Sequence, residues 1–271
     1  MADEVLYETD GPVARITMNR PQYRNAQSRT LLEGLDDALA QAMNDHDIRV
    51  AVLFGAGEHW SSGHDIGTPE EIADREARPY PPGVFGRYRR SWDWNVDNTM
   101  RWRDLPKPTI AAVHGLCIYG GWMIAAAMDL IVASEDAQFI PGLFQYPSTP
   151  YDIGFRRAKD LLWEQGLLGA KQAHDLGFVA NVVSRDRLDD EVMAKANRIA
   201  RLHPMAASMI KRQINDAQDA MGFRLAISTG HSSYLMSDMS GVNFDADRPF
   251  GSRKRMPGVD VARGAAAQRE K

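Results

Sequence analysis

One cysteine, Cys117, stands among 271 residues. An intrachain disulfide is therefore impossible, and a reducing, cytoplasmic setting is expected. Charge is close to balance, at a formal −4, so no global basic field draws nucleic acid. The opening, MADEVLYETDG, is acidic and does not read as a secretory leader. Long apolar runs are scarce. The one membrane candidate, GLCIYGGWMIAAAMDLIVA from Gly115 to Ala133, carries Asp129 as its single charge. About 20 such residues could span a bilayer. The glycines instead divide this region into strand, turn, helix and strand, the grammar of a βαβ unit, so no membrane partner is expected. Also missing are a Gly-x-Gly-x-x-Gly after a strand, a Walker loop, Gly-x-Ser-x-Gly and His-Glu-x-x-His. Nucleotide-loop, serine-elbow and zincin chemistries lose their usual signatures. His59, His64 and Asp65 cluster in sequence but are read as loop rather than metal site, and Cys117 as an inert core thiol.

What is present is an ordinary globular composition, 44% hydrophobic and 25% charged, in a chain long enough to bury a large core. VLYETDGPVARITM reads as a hairpin turning at Asp10-Gly11. Residues 28–43 read as an amphipathic helix capped by Ser28, with Leu31, Leu32, Leu35, Ala38, Leu39 and Ala42 on one face. VAVLF is a buried parallel strand. Residues 66–104 are rich in proline, arginine and aromatics, and read as loops plus helix inserted over a site, with Trp92, Trp94 and Trp102 as candidate pocket lining. Arg87, Arg89 and Arg90 there are read as a solvated face. From about Asp186 the pattern is mostly helical, and the last thirty or so residues read as a mobile or docked tail. The division expected is a core over 1–200 and a helical region with tail over 201–271.

Two glycine-rich loops follow two of the strands: GAGEHWSSGHDIG after VAVLF, and HGLCIYGG after TIAAV. Each leads to a helix start and can present unpaired backbone N–H groups. Two such donors aimed at one point hold an oxyanion, such as a thioester enolate or a tetrahedral intermediate. On spacing alone, both are equally well explained as tight strand–helix turns.

Four segments in order, ITMNRPQYRNA, VLFGAGEHWSSGHDI, LPKPTIAAVHGLCIYGGWMIAAAMDLIVASEDAQF and GAKQAHDLGFVANVV, give the chain a resemblance to the crotonase superfamily, the enoyl-CoA hydratase/isomerase family. It covers roughly residues 5–235. The resemblance implies an α/β fold, a repeated ββα spiral with a helical C-terminal trimerisation region. It implies an acyl-CoA thioester substrate, no cofactor beyond the coenzyme A carried by that substrate, and a homotrimer or dimer of trimers. The oxyanion donors would be the backbone N–H groups of His64 and Gly120. Arg24, Asp65, Ile66, Trp122, Met123, Leu143 and Tyr151 would surround the substrate. Asp65 would also cap the following turn, and His114 would be structural.

The resemblance breaks at the acids. Typical hydratases of the family carry two glutamates; the matching positions here are Met123 and Leu143. Neither side chain transfers protons. Asp152, in an Asp-x-Gly pattern shared with dienoyl-CoA isomerases, is the replacement candidate, with Tyr146, Ser148 and Tyr151 as nearby hydroxyls. Burial would raise its pKa and suit it to general acid/base work; its other reading is a helix N-cap. Isomerisation needs only one acid/base and fits these residues better than hydration. A hydratase, a thioester or C–C hydrolase, and a non-catalytic CoA-binding subunit are the alternatives.

Overall fold

The structure, a computed structural model, describes residues 3–142, 145–164 and 166–240. Strands β1 (Val5–Asp10) and β2 (Val13–Met18) form the expected hairpin, with Gly11 in the left-handed region at the turn. Strands β3 (Val50–Gly55), β4 (Thr109–Val113), β6 (Leu130–Ser134) and β9 (Asn181–Val183) then add in parallel, giving the order β1-β2-β3-β4-β6-β9. Three shorter strands, β5 (Leu116–Ile118), β7 (Gln138–Ile140) and β8 (Leu168–Gly169), make a second sheet in the order β5-β7-β8. The chain thus visits the large sheet, then the small one, then a helix, and repeats: a ββα spiral.

Both faces of the large sheet are covered, so its central strands are apolar throughout. On one face lies α1 (Arg29–Asn44), which buries Leu31, Leu35 and Leu39. Its first turn is closed by Ser28, whose Oγ accepts the Leu31 N–H at 3.0 Å. On the other, Val50, Val52, Ile110 and Val132 meet Leu188, Val192 and Ala196 of α9 (Leu188–Ile199). This alternation along β3 follows from the period of two in a strand.

The insertion is more helical than its composition suggests. It holds α2 (Pro69–Ala77), α3 (Gly83–Ser91), a π-helical turn over Trp92–Asp97 and α4 (Asn98–Arg103). Its tryptophans anchor it. Trp102 is buried and donates to Asp36 at 2.6 Å, Trp92 stacks on Tyr88, and Trp94 donates to the Tyr80 hydroxyl.

The stretch from Gly115 to Ala133 becomes β5, α5 (Gly120–Ala127) and β6. Its lone charge, Asp129, accepts both the backbone N–H (2.7 Å) and the hydroxyl (3.0 Å) of Thr109. Asp129 also pairs with buried Lys211 at 2.9 Å. Lys211 belongs to α10 (Pro204–Ala220), so this charge ties the C-terminal helices to the sheet. Before them come α6 (Thr149–Ile153), α7 (Phe155–Glu164) and α8 (Ala170–Asp175); α11 (Phe223–Ser240) ends the described chain. Among the described residues no helix is long and apolar enough to cross a membrane. The expected tail falls outside them.

Candidate active site

The two glycine-rich loops meet. Gln27 N–H donates to the Gly63 carbonyl (2.8 Å) and Asp65 N–H to the Gln27 carbonyl (3.0 Å), a parallel bridge centred on His64. That pairing uses the groups on either side of His64 and leaves its own N–H pointing away from residue 27. Gly120 is the first residue of α5, where an N–H has no intrahelical partner. The residue before it, Tyr119, is held at φ 50°, ψ −107°. Such strain costs on the order of 1–3 kcal/mol and is tolerated where surrounding contacts fix it; here it turns the chain so that α5 begins at the junction.

Glycine is required at that junction. Gly63 has φ +87°, and a Cβ there would lie 2.8 Å from the Ile118 carbonyl oxygen and 3.0 Å from the Gly120 nitrogen. Behind the loop, Ser61 Oγ donates to the Asn25 carbonyl (2.9 Å) and accepts the Gly63 N–H (3.2 Å). The Asn25 carboxamide accepts from Arg20 N–H (2.8 Å) and donates to the Ala56 (2.9 Å) and His59 (2.8 Å) carbonyls. The Asn-Arg-Pro-x-x-x-Asn-Ala pattern therefore splices two segments into one rigid base.

Asp65 is consumed by this base. One oxygen accepts from Gly67 and Thr68 N–H; the other takes the Thr68 hydroxyl and, at 2.9 Å, the buried Arg20 guanidinium. These hydrogen bonds outweigh desolvation and hold its pKa below the usual value. It caps the turn that follows the loop, as expected. Ile66 beside it is 85% exposed, at the rim. Arg24 is exposed, at a left-handed backbone position (φ 53°) next to the loop. His114 is buried, bonded to the Gly57 carbonyl at 3.1 Å.

The His64 imidazole turns inward. Burial lowers its pKa to about 4, so the ring is neutral near pH 7. Its Nε2 faces Gln145 Oε1 at 2.8 Å, and its Nδ1 is buried without a partner among the described residues. Gln145 in turn donates to Ser91 Oγ at 3.0 Å, and Ser91 meets His231 Nε2 at 3.0 Å.

Asp152 occupies a second corner, beside Trp122 of α5. It does not cap a helix, contrary to the alternative reading: α6 starts at Thr149, with Ser148 as its N-cap residue, and Asp152 lies inside it. The causes of its altered acidity are physical. Burial disfavours the carboxylate and raises its pKa to about 6, opposed by nearby Ser148 and Trp122. Those two groups are close, yet neither Ser148 Oγ nor Trp122 Nε1 reaches hydrogen-bonding geometry, and Asp152 Oδ2 is buried and unpartnered among the described residues. The Tyr146 hydroxyl is likewise buried without a partner, its pKa pushed up by burial and then by Asp152. A cavity of about 450 Å³ reaches Asp152 and Tyr151 from beneath α10; His64 and Gly120 do not line it.

The expected substrate-contacting side chains divide. Trp122 is a core residue, stacked on Phe178 at 3.7 Å between ring centroids and fully buried, so only its indole edge reaches Asp152. Met123 packs with Val96, Tyr146, Phe223 and Ile227. Tyr151 packs on Phe223 and directs its hydroxyl to the Met221 carbonyl at 3.5 Å. Leu143 lies outside the described residues. Gln27, Ser61, Ser91, Gln145 and His231 were not singled out from sequence. Only Ser61 sat in a quoted motif; the others are brought in by long-range packing.

Comparison with known proteins places this chain in a family. The sequence profile described as enoyl-CoA hydratase/isomerase matches residues 8–226. A Mycobacterium tuberculosis protein assigned as enoyl-CoA hydratase EchA13 is 40% identical over 244 residues, 82% of this chain and 77% of that one. A Mycobacterium smegmatis crystal structure assigned as an enoyl-CoA hydratase superposes with a TM-score of 0.79 at 34% identity, over 87% of this chain and 94% of that one. A structure described as a monofunctional enoyl-CoA isomerase from M. smegmatis gives 0.65 at 25% identity, over 80% and 95%. The chain belongs to the enoyl-CoA hydratase/isomerase family and has the crotonase fold.

Proposed function

We propose that the protein binds an acyl-CoA thioester, stabilises its enolate between the His64 and Gly120 N–H groups, and moves a proton along the acyl chain with Asp152, the reaction being double-bond isomerisation or a close relative. The observation that carries this is the pairing of one preformed donor corner with one carboxyl near neutrality. An enolate needs donors that are in place before charge develops. A shuttle needs a group that both gains and loses a proton near the working pH, and a carboxyl at about 6 does so. α5 links the corners: Gly120 opens it, and Trp122, two residues later, meets Asp152. With Met123 among apolar neighbours, no second carboxylate is supplied from that position, which favours isomerisation over hydration. Hydratase, the assignment carried by EchA13, is the second reading. No cofactor is required beyond the coenzyme A of the substrate.

Assembly as a homotrimer or a dimer of trimers belongs to the same proposal. Met205, Ile210 and Ile214 on α10 and Leu225 on α11 are each more than half exposed, an apolar surface suited to a second copy. Light scattering on the purified protein tests it.

Mass-resolved product analysis over 2-enoyl, 3-enoyl, dienoyl and cyclic β-keto CoA esters, wild type beside Asp152→Asn, tests the reaction. Isomerised product that vanishes in the variant is expected. Hydration that survives in the variant overturns the role of Asp152. Binding without turnover across the panel would mark a binding subunit.

A further inference from the structure

The His64 ring is not a reactant in the proposed chemistry, yet it touches the second donor residue. A Cβ built on Gly120 would lie 2.8 Å from both Nδ1 and Cε1 of the ring, and it would meet Gln27 Oε1 as well. The imidazole thus fills the space that the absent Gly120 side chain leaves. One residue of the donor pair packs its side chain against the other, so the position of this ring fixes how the two backbone N–H groups are spaced.

A neutral imidazole can carry its proton on either nitrogen, and its ring can turn over. Gln145 removes both freedoms. Its Oε1 stands 2.8 Å from His64 Nε2. A carbonyl oxygen only accepts, so the proton sits on Nε2, and Nδ1 is the atom turned to Gly120. Gln145 is itself held: its amide nitrogen donates to Ser91 Oγ at 3.0 Å, and Ser91 Oγ lies 3.0 Å from His231 Nε2. Gln145, Ser91 and His231 are all buried. Ser91 ends α3 directly before the π-helical turn, and His231 comes from α11. Such turns are rare and occur mostly at functional sites. Elements distant in sequence converge here on one carboxamide.

Gln145 also opens the segment that leads to Asp152. Its neighbour Tyr146 packs with Met123 of α5. The Ser148 carbonyl then accepts the Asp152 N–H at 3.2 Å. The same carboxamide therefore fastens the segment of the second corner to the loop of the first.

We infer that Gln145 is a positioning residue: it locks the His64 ring against Gly120, sets the spacing of the two backbone donors, and ties that junction to the segment bearing Asp152. This deepens the acyl-CoA reading above and rests on it. Gln145 acts through His64 and not on the substrate.

Three measurements test it on wild type, Gln145→Leu, Gln145→Glu and Ser91→Ala: long-range proton–nitrogen NMR of the His64 ring, hydrogen exchange at C2 of butyryl-CoA in D₂O, and calorimetry of the same ester. Wild type shows one ring tautomer, with the proton on Nε2. Gln145→Leu keeps the bulk and loses the acceptor. Its ring samples both tautomers, and C2 exchange slows by about 10–10²-fold, the cost of a small misplacement of reacting groups, while ester affinity is retained. Gln145→Glu restores an acceptor oxygen, and with it the single tautomer and most of the rate. Ser91→Ala frees the amide of Gln145 and moves tautomer and rate the same way by less; it decides the matter if Gln145→Leu does not fold. A merely structural role would lower Tm, binding and exchange together and leave the tautomer unchanged. That pattern, or wild-type exchange in folded Gln145→Leu, overturns the positioning role while the acyl-CoA reading stands. Absence of C2 exchange in wild type overturns both.

Discussion

Two corners of one wall differ in how completely their polar groups are satisfied. At the first, Asn25, Ser61, Gln27 and Asp65 are engaged, Gly63 and Gly120 leave no room for a side chain, and one imidazole nitrogen is left without a partner among the described residues. At the second, Trp122 Nε1, Tyr146 OH, Ser148 Oγ, Thr149 Oγ1 and Asp152 Oδ2 are all buried without partners among the described residues. Native proteins leave few such atoms. The first corner is rigid and presents fixed dipoles. The second stores unmet hydrogen-bonding capacity around a carboxyl whose charge is poorly tolerated. The two conditions differ, and α5 contributes to both corners, through Gly120 at the first and Trp122 at the second.

The sharpest way to break the comparison is to remove the proton carrier and leave the donors intact. Asp152→Asn should lower turnover by about 10²–10⁴ with CoA-ester affinity retained, read from steady-state kinetics beside calorimetry. Wild-type activity should change near the Asp152 value of about 6, and that inflection should be missing from residual activity in the variant. Next in size is Gly63→Ala. Its Cβ would clash with backbone 2.8 Å away, so the loops separate and activity falls by about 10²–10³, with a lower Tm in scanning calorimetry.

A third prediction concerns stability, where the sign is set by burial. Asp152 has a folded-state pKa of about 6 against an ordinary 3.8. The fold therefore prefers its protonated form. The stability this contributes is complete below about pH 4 and is lost as pH rises through about 6. Asp152→Asn should unfold at a higher temperature than wild type at pH 8, by the equivalent of about 1–3 kcal/mol, with the difference gone at pH 4. Equal Tm values at pH 8 would show that the carboxyl is better solvated than its surroundings indicate. The smallest effects are expected where only one side of the comparison is touched. Ser28→Ala, one residue beyond Gln27 of the first corner, should cost about 1 kcal/mol in denaturant unfolding through its lost cap. Tyr146→Phe removes an unpartnered hydroxyl and should change stability by less than about 1 kcal/mol.

Much of the first corner was legible in the sequence, because its parts are local. A strand, a glycine loop and a helix start are contiguous, and the Asn-Ala of the first motif lies just before α1. The hairpin and the Ser28 cap followed from turn chemistry and helical spacing. The small β5-β7-β8 sheet was not legible, since strands of two or three residues show no periodicity. The alternative reading of Asp152 as an N-cap fails because α6 already starts at Thr149 and encloses it. The resemblance put Trp122 beside the substrate; its packing on Phe139 and Phe178, which come from other segments, was not legible. The relay from His64 to His231 was invisible for the same reason: Ser91 and His231 are 140 residues apart.

The central claim, donors at one corner and the proton carrier at the other, is tested most directly by hydrogen exchange at C2 of a saturated acyl-CoA in D₂O, followed by mass spectrometry. Exchange reports enolate formation without a complete turnover. Deuterium uptake is expected with wild type, and loss of uptake with Asp152→Asn while the ester still binds. Uptake at the wild-type rate in Asp152→Asn would contradict it.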